Sequence, residues 1–204
     1  AEQTGRDIAE AVGNGPVYFY TSPYLRTKQT LAGLIKSFEK NEIVAVREEP
    51  RLCEQQFGNF QQLDQVLTAK KEREKYGRFY YRFPNGESGF DVYTRISTFL
   101  PDLYRDAMNV ELYDDEHSPR DLTMIVVTHG LTLRLLMMRW LQFSISDFES
   151  SINPHNAGFV CLERQSDEET GREWYQLTQE SLDKIGFPRQ HRYGSLWKLM
   201  TELP

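Results

Sequence analysis

Residues 122–130, with the sequence LTMIVVTHG, place a histidine and a glycine directly after a continuous apolar run. A run of this kind is typical of a central strand that is buried on both faces of a parallel sheet. The apolar residues 131–141 then predict a helix. Ligands bind such sheets at the carboxyl ends of the strands, so we expect the His129 side chain to face a ligand crevice. Gly130 permits either a sharp turn or the close approach of a ligand.

Strands and helices alternate on both sides of this stretch, and the alternation decides the fold class. Helical patterns predict helices at residues 1–12, 25–40, 64–76 and 92–103. Short β-branched or aromatic segments predict strands at residues 17–21, 43–46, 158–163 and 174–177. Pro101 is expected to kink or split the fourth of these helices. The prediction is an α/β fold, a three-layer sandwich with a mostly parallel central sheet flanked by helices.

Length and composition limit the classes of protein to which the chain can belong. With 204 residues, of which 39% are hydrophobic, the chain can bury a full core, and we expect one domain over residues 1–204. The net charge of −6 argues against an extended surface for nucleic acid. No apolar run is long enough to span a bilayer. Cys53 and Cys161 are too few for a disulfide framework, so we expect a reducing, cytoplasmic location. The sequence leaves an oligomer open.

A second candidate site segment is TSPYLR at residues 21–26. A predicted strand ends there, the proline fixes a turn, and Arg26 emerges in the first turn of the next predicted helix. The amino-terminal end of a helix has positive potential and unpaired N–H groups, so an arginine in this place suits a phosphate or carboxylate ligand. The alternative is a solvated arginine, or one that pairs with a neighbouring glutamate.

The third candidate segment is LCEQQFGNF at residues 52–60, which lacks periodicity and is predicted as a loop. Glu54 lies there among apolar and amide side chains, so it is a candidate for proton exchange with a substrate. The alternative for Glu54 is an ordinary surface glutamate. For His129 the alternative is a turn histidine that the backbone satisfies. A lipase-type role for His129 is excluded, because the sequence has no Gly-x-Ser-x-Gly elbow.

Taken in order, these motifs form a pattern that runs through nearly the whole chain. The pattern is SPxxR at residues 22–26, LxEQxFGNF at 52–60, a proline-glycine loop at 83–88 and VVTHGLTLR at 126–134. It resembles the histidine phosphatase superfamily, the phosphoglycerate-mutase-like enzymes. Within that superfamily, residues 79–99 and 128–140 are most similar to the fungal broad-range acid phosphatases.

The resemblance implies a phosphatase that hydrolyses small phosphate monoesters through a phosphohistidine intermediate. By match to the family's motifs, Arg26 and His129 hold the phosphoryl oxygens and stabilise their charge in the transition state. Glu54 protonates the leaving oxygen and then takes a proton from water. No metal or other cofactor is implied, since cationic side chains neutralise the phosphate. The four histidines also show no metal-ligand spacing.

The same resemblance makes Gly130, Glu87 and Asn156 candidates for substrate binding. Glu87 belongs to a loop that in the family often approaches the site. Residues 86–88 fit a helix N-cap with an acidic first turn equally well. Asn156 lies near the end of a long loop, and a turn formed with Pro154 explains it as well.

One part of the family's pattern is not in the sequence. No Arg-His-Gly motif occurs, and none of the four histidines precedes the first predicted helix. We therefore expect an upstream segment that carries the nucleophilic histidine and a strand at the centre of the sheet. Two other functions stay open, a phosphoglycerate-type mutase and a non-catalytic protein that binds a phosphate ligand.

Overall fold

In a computed structural model the protein is described over residues 1–13, 15–58, 63–108, 122–167 and 169–189. These residues fall into two units. The first unit comprises residues 1–54 and 95–132, and the second comprises 55–94 and 133–204. The expectation of one domain over residues 1–204 stays a prediction.

A parallel sheet of three strands forms the centre of the first unit. The strands are β1 (Val17–Thr21), β2 (Ile43–Glu48) and β3 (Thr123–Val127), in the order β2-β1-β3. β1 pairs in parallel with both neighbours. Helices α1 (Glu2–Val12) and α2 (Leu25–Ile35) belong to the same unit. The predicted α/β fold, a parallel sheet flanked by helices, is confirmed.

The two faces of β1 are covered by different helices. On one face Val17 and Phe19 join a buried apolar cluster to which α1 and α2 contribute. On the other face Tyr20 packs edge-on against Phe99 of α4 (Gly89–Ala107), with ring centroids 5.1 Å apart. The Tyr18 hydroxyl donates to the buried carboxylate of Asp106, also in α4, at 3.1 Å. The first unit therefore has helices on both sides of its sheet.

The prediction that residues 122–128 form the central strand, buried on both faces, is wrong for the described sheet. Only Ile125 and Val127 of β3 are buried, and β3 pairs with one neighbour among the described strands. β1 is instead central and buried at all five residues. The two tyrosines of β1 are buried because their hydroxyls bind Asp106. Since β1 is paired on both edges, no further strand can lie beside it.

The second unit combines short helices with a two-stranded antiparallel sheet. Its elements are α3 (Leu63–Tyr76), the first turns of α4, most of α5 (Gly130–Leu141), α6 (Ile145–Ser150), β4 (Leu162–Ser166), β5 (Glu173–Leu177) and α7 (Gln179–Ile185). Phe79 lies in its core, 5.9 Å from the ring of Phe148. The sequence patterns did not predict α6 and α7. Each begins at a hydroxyl N-cap, Ser144 for α6 and Thr178 for α7.

Several predicted element boundaries, and the expected effect of Pro101, differ from the structure. Helix α2 ends at Ile35 rather than residue 40, and the turns that follow still bury Phe38. β4 begins at Leu162 rather than residue 158, because the backbone N–H of Cys161 donates to Ser181 instead of a neighbouring strand. Helix α4 continues through Pro101, since buried side chains on both sides of the proline anchor it. None of the described helices is both long and apolar enough to cross a bilayer.

Candidate active site

The turn between β1 and α2 places Arg26. The backbone N–H of Ser22 donates to the carbonyl of Val127 at 2.9 Å, which extends the pairing of β1 with β3 by one residue. The Thr27 hydroxyl is within 2.8 Å of the Ser22 carbonyl and 2.7 Å of the Tyr24 carbonyl. These bonds close the turn, so Arg26 lies in the first turn of α2, as predicted.

His129 lies just after β3, separated from it by Thr128, and is buried beside this turn with 7% of its surface exposed. Its Nε2 lies 2.8 Å from the hydroxyl of Ser22. Arg26 approaches the other ring nitrogen, with Nε 3.2 Å and Nη2 3.0 Å from Nδ1. The ring of Tyr24 packs edge-on against the imidazole at 5.1 Å, and the Arg26 guanidinium lies over the same ring. Two of the three predicted catalytic residues are therefore in direct contact.

The contacts of His129 determine its tautomer and its charge. A guanidinium has donors only, so Nδ1 accepts from Arg26 and Nε2 carries the proton that is donated to Ser22. Burial of the ring, followed by the positive charges of Arg26 and Arg95, lowers the pKa of His129 to about 4. The imidazole is therefore neutral at neutral pH.

Glu54 belongs to a short segment, residues 51–54, that is held by side-chain hydrogen bonds. We call these residues the Glu54 segment. Two threonines that flank His129 bind it: Thr128 Oγ1 donates to the Leu52 carbonyl, and Thr132 Oγ1 to the Cys53 carbonyl, both at 2.8 Å. Thr132 Oγ1 also lies 3.4 Å from Oε1 of Glu54. Residues 128–132 thus connect the Arg26–His129 pair to the Glu54 carboxyl.

Arg95 of α4 binds the same segment from another side. Its Nη2 donates to the carbonyls of Cys53 at 2.8 Å and Glu54 at 3.3 Å, and its Nη1 donates to the Arg51 carbonyl. Like Arg26, Arg95 lowers the pKa of His129, so its charge acts at the imidazole. A region with two guanidiniums and a neutral histidine suits an anionic ligand.

The residues of this arrangement that were not predicted from the sequence include Ser22, Arg95, Thr128 and Thr132. Ser22 is the serine of the SPxxR motif. Its complete burial, which indicates a role in the site, is seen only in the structure. Arg95 lies within a helical pattern that carries no motif. Thr132 follows His129 by three residues, so helical spacing was the available clue.

The remaining predicted site residues are Gly130, Glu87 and Asn156. Gly130 is the first residue of α5, beside His129. Glu87 belongs to the second unit, where its carboxylate accepts the backbone N–H of Gln56 at 3.0 Å. The alternative for this loop was a helix N-cap, and Ser88 forms one. Its backbone N–H and hydroxyl both donate to Asp91 at 2.7 Å.

Asn156 also belongs to the second unit and lies exposed in a turn after Pro154. A substrate role for Gly130, Glu87 or Asn156 stays a prediction. Two residues of the predicted loop, Asn59 and Phe60, lie outside the described residues, as do the histidines at 117 and 191. Within the described ranges, no three His, Cys, Asp or Glu side chains gather to hold a metal ion.

Comparison with known proteins identifies relatives of this chain. The chain is 41% identical over 170 residues to the phosphoglycerate mutase-like protein AT74 of Arabidopsis thaliana, covering 80% of this chain and 53% of that protein. It is 40% identical over 119 residues to the broad-range acid phosphatase DET1 of Saccharomyces cerevisiae, covering 58% of this chain and 34% of that protein. The chain thus spans about half the length, or less, of these relatives.

The fold and the family also match. The mycobacterial glucosyl-3-phosphoglycerate phosphatase, in complex with inorganic phosphate, superposes with a TM-score of 0.61 at 22% identity. The superposition covers 87% of this chain and 83% of the mycobacterial one. The family model of the histidine phosphatase superfamily, branch 1, matches residues 1–177. The chain therefore belongs to the histidine phosphatase superfamily.

Proposed function

We propose that the protein is a phosphatase that hydrolyses small phosphate monoesters through a phosphohistidine intermediate. The observation that carries the proposal is the contact of Arg26 with the buried, neutral imidazole of His129. Both residues lie at the carboxyl ends of neighbouring parallel strands, which is where ligands bind an α/β sheet. The family to which the chain belongs includes relatives named as phosphatases, among them the yeast acid phosphatase.

In this proposal the guanidinium of Arg26 binds the phosphoryl oxygens. Arg26 is exposed and reaches Nδ1 of His129 in the absence of a ligand, so a phosphate dianion can compete for the same donors. When Arg26 turns to the phosphate, Nδ1 of His129 is free to take up a proton and donate to a phosphoryl oxygen. The two side chains then neutralise the charge of the transferring group.

Two chemical steps follow, and Glu54 exchanges a proton in each. A histidine nitrogen attacks phosphorus, the bond to the leaving oxygen breaks, and Glu54 gives that oxygen its proton. Water then attacks the phosphohistidine and gives a proton to Glu54, and the phosphorus–nitrogen bond breaks. The nucleophile in this proposal is the histidine of an Arg-His-Gly segment upstream of residue 1, which would complete the single catalytic domain. Gly130, Glu87 and Asn156 would contact the substrate.

A mutase is the second candidate, because one relative is named phosphoglycerate mutase-like. The two reactions give different products from the same substrate. A phosphatase releases inorganic phosphate from 3-phosphoglycerate, whereas a mutase returns 2-phosphoglycerate. We propose the acid phosphatase type, on the likeness to the yeast enzyme. We also propose a cytoplasmic location, which the low number of cysteines in the sequence supports.

The test uses the full-length protein and a panel of phosphate monoesters. We expect release of inorganic phosphate, together with a trapped phosphoprotein whose label is lost in acid and retained in alkali, as for a phosphorus–nitrogen bond. Conversion of 3-phosphoglycerate without phosphate release would favour the mutase. Phosphate binding with no turnover of any ester would favour the non-catalytic alternative.

A further inference from the structure

The hydroxyl of Thr132 lies between two acceptors on the Glu54 segment. Thr132 is in the first turn of α5 and has no exposed surface. Its Oγ1 is 2.8 Å from the carbonyl oxygen of Cys53 and 3.4 Å from Oε1 of Glu54. A hydroxyl has one proton and two lone pairs, so it can donate to the Cys53 carbonyl while it accepts from a protonated Glu54, or it can donate to an ionised Glu54.

The two orientations of this hydroxyl match the two protonation states of Glu54. When Thr132 donates to the Cys53 carbonyl, its lone pairs face Oε1 and suit a protonated carboxyl group. When Thr132 donates to Oε1, it suits the ionised carboxylate. The Cys53 carbonyl keeps a donor in either case, because Nη2 of Arg95 binds it at 2.8 Å. Rotation of the hydroxyl therefore leaves no buried carbonyl without a partner.

We propose that Thr132 is a positioning residue for Glu54, holding the carboxyl in place both before and after it gives up its proton. The inference rests on the proposed function, since it concerns the same proton exchange. In the first step Glu54 gives its proton to the leaving oxygen, and the Thr132 hydroxyl turns from Cys53 to Oε1. In the second step water reprotonates Glu54, and the hydroxyl turns back. Thr132 neither gains nor loses a proton.

A merely structural role, in which Thr132 only caps the Cys53 carbonyl, predicts different behaviour. Thr132→Val keeps the shape of the side chain and removes the hydroxyl. Thr132→Ser restores the hydroxyl on a smaller side chain. Thr128→Val is the matched control, because Thr128 binds the Leu52 carbonyl of the same segment and has no contact with the Glu54 carboxyl among its described bonds. If Thr132 has only a structural role, Thr132→Val and Thr128→Val should have similar effects on activity.

The measurement compares two substrates of the full-length protein, p-nitrophenyl phosphate and glycerol phosphate. The nitrophenolate leaves with little need of a proton, whereas the glycerol alkoxide needs one. We expect Thr132→Val to lower kcat on glycerol phosphate about tenfold more than on p-nitrophenyl phosphate. This factor is smaller than the rate acceleration of about 10²–10⁴ that is typical of general acid catalysis. Thr132→Ser should recover most of the loss. Thr128→Val should change both substrates by the same factor.

Several outcomes overturn the inference, and they differ from those that overturn the proposed function. Equal losses on both substrates in Thr132→Val, or no recovery in Thr132→Ser, give Thr132 a structural role only. If the valine variant does not fold, judged by its circular dichroism, Thr132→Ala gives the same comparison without a branched side chain. Absence of phosphate release by the unmodified protein, or no bias between substrates in Glu54→Gln, contradicts the proposed function and this inference with it.

Discussion

The Arg26–His129 pair and the Glu54 segment belong to the same unit but are held by different means. The backbone of the sheet positions the pair: His129 is separated from the end of β3 only by Thr128, and its partner Ser22 continues the pairing of β1 with β3. The Glu54 segment has no strand pairing of its own. Its carbonyls accept instead from the side chains of Thr128, Thr132 and Arg95.

This difference separates two requirements of the proposed reaction. A phosphate group needs donors in fixed positions, and strand ends supply a backbone that moves little. A proton donor must suit both the protonated and the ionised state, and rotatable side-chain hydroxyls can adapt to each.

The largest effect is expected from the fixed pair. Arg26→Ala and His129→Ala should each lower kcat of the full-length enzyme by about 10²–10³, the loss typical of a preorganised donor to developing charge. Steady-state kinetics measure it, with Arg6→Ala and His155→Ala as controls, because both of these residues are exposed. Turnover close to that of the unmodified enzyme in either site variant would remove the assignment.

A smaller effect, selective for the leaving group, is expected from Glu54→Gln. The loss of kcat should be about 10–100 times greater on glycerol phosphate than on p-nitrophenyl phosphate, since only the alkoxide needs a proton to leave. Single-turnover measurement of the first step excludes the separate effect on water attack. Glu10→Gln, at an exposed position of α1, is the control. Equal losses on both substrates would mean that Glu54 is not the acid.

Ser22→Ala is expected to have an effect of about tenfold in kcat. The Ser22 hydroxyl accepts the Nε2 proton of His129, so its loss removes one neutral hydrogen bond, worth about 1–1.5 kcal/mol. Ser150→Ala serves as the matched control, because this exposed serine bonds only carbonyls of its own helix among its described contacts. A kcat unchanged by Ser22→Ala would show that the ring is oriented without it.

The last prediction concerns stability and pH. The unfolded chain protonates this histidine near its ordinary pKa of about 6.5, whereas the pKa of folded His129 is about 4. Neutral His129 therefore contributes to the free energy of unfolding above pH 6.5, and this contribution is lost as the pH falls towards 4. We expect a loss of about 1–3 kcal/mol.

Urea unfolding at pH 7 and pH 4.5 measures this loss. His129→Gln should remove that part of the pH dependence, and His155→Gln, at an exposed position, should retain it. The same pH dependence in unmodified protein and His129→Gln would contradict the low pKa of His129.

Local sequence patterns were sufficient for much of the fold and for part of the site. The alternation of helical and strand patterns predicted the α/β class, because hydrophobic period reflects local geometry. The resemblance gave Arg26 and His129 a shared phosphate ligand, and the structure places both at the carboxyl ends of neighbouring parallel strands, which meet at one edge of the sheet. The resemblance that linked SPxxR with THG added the chemistry of these two residues.

Which strand is central, and what holds the site residues, depends on contacts between residues that are distant in the sequence. The sequence VYFYT of β1 reads as less apolar than β3, yet β1 is the strand that is buried throughout, because Asp106, distant in the sequence, binds its tyrosine hydroxyls. Likewise, Arg95 lies 41 residues from Glu54 and donates to its backbone carbonyl. No local sequence pattern predicts such contacts, because every residue type has a backbone carbonyl that can accept a hydrogen bond. Sequence patterns thus predicted the types and order of most elements, while long-range packing chose the partners that position Glu54 and set the charge of His129.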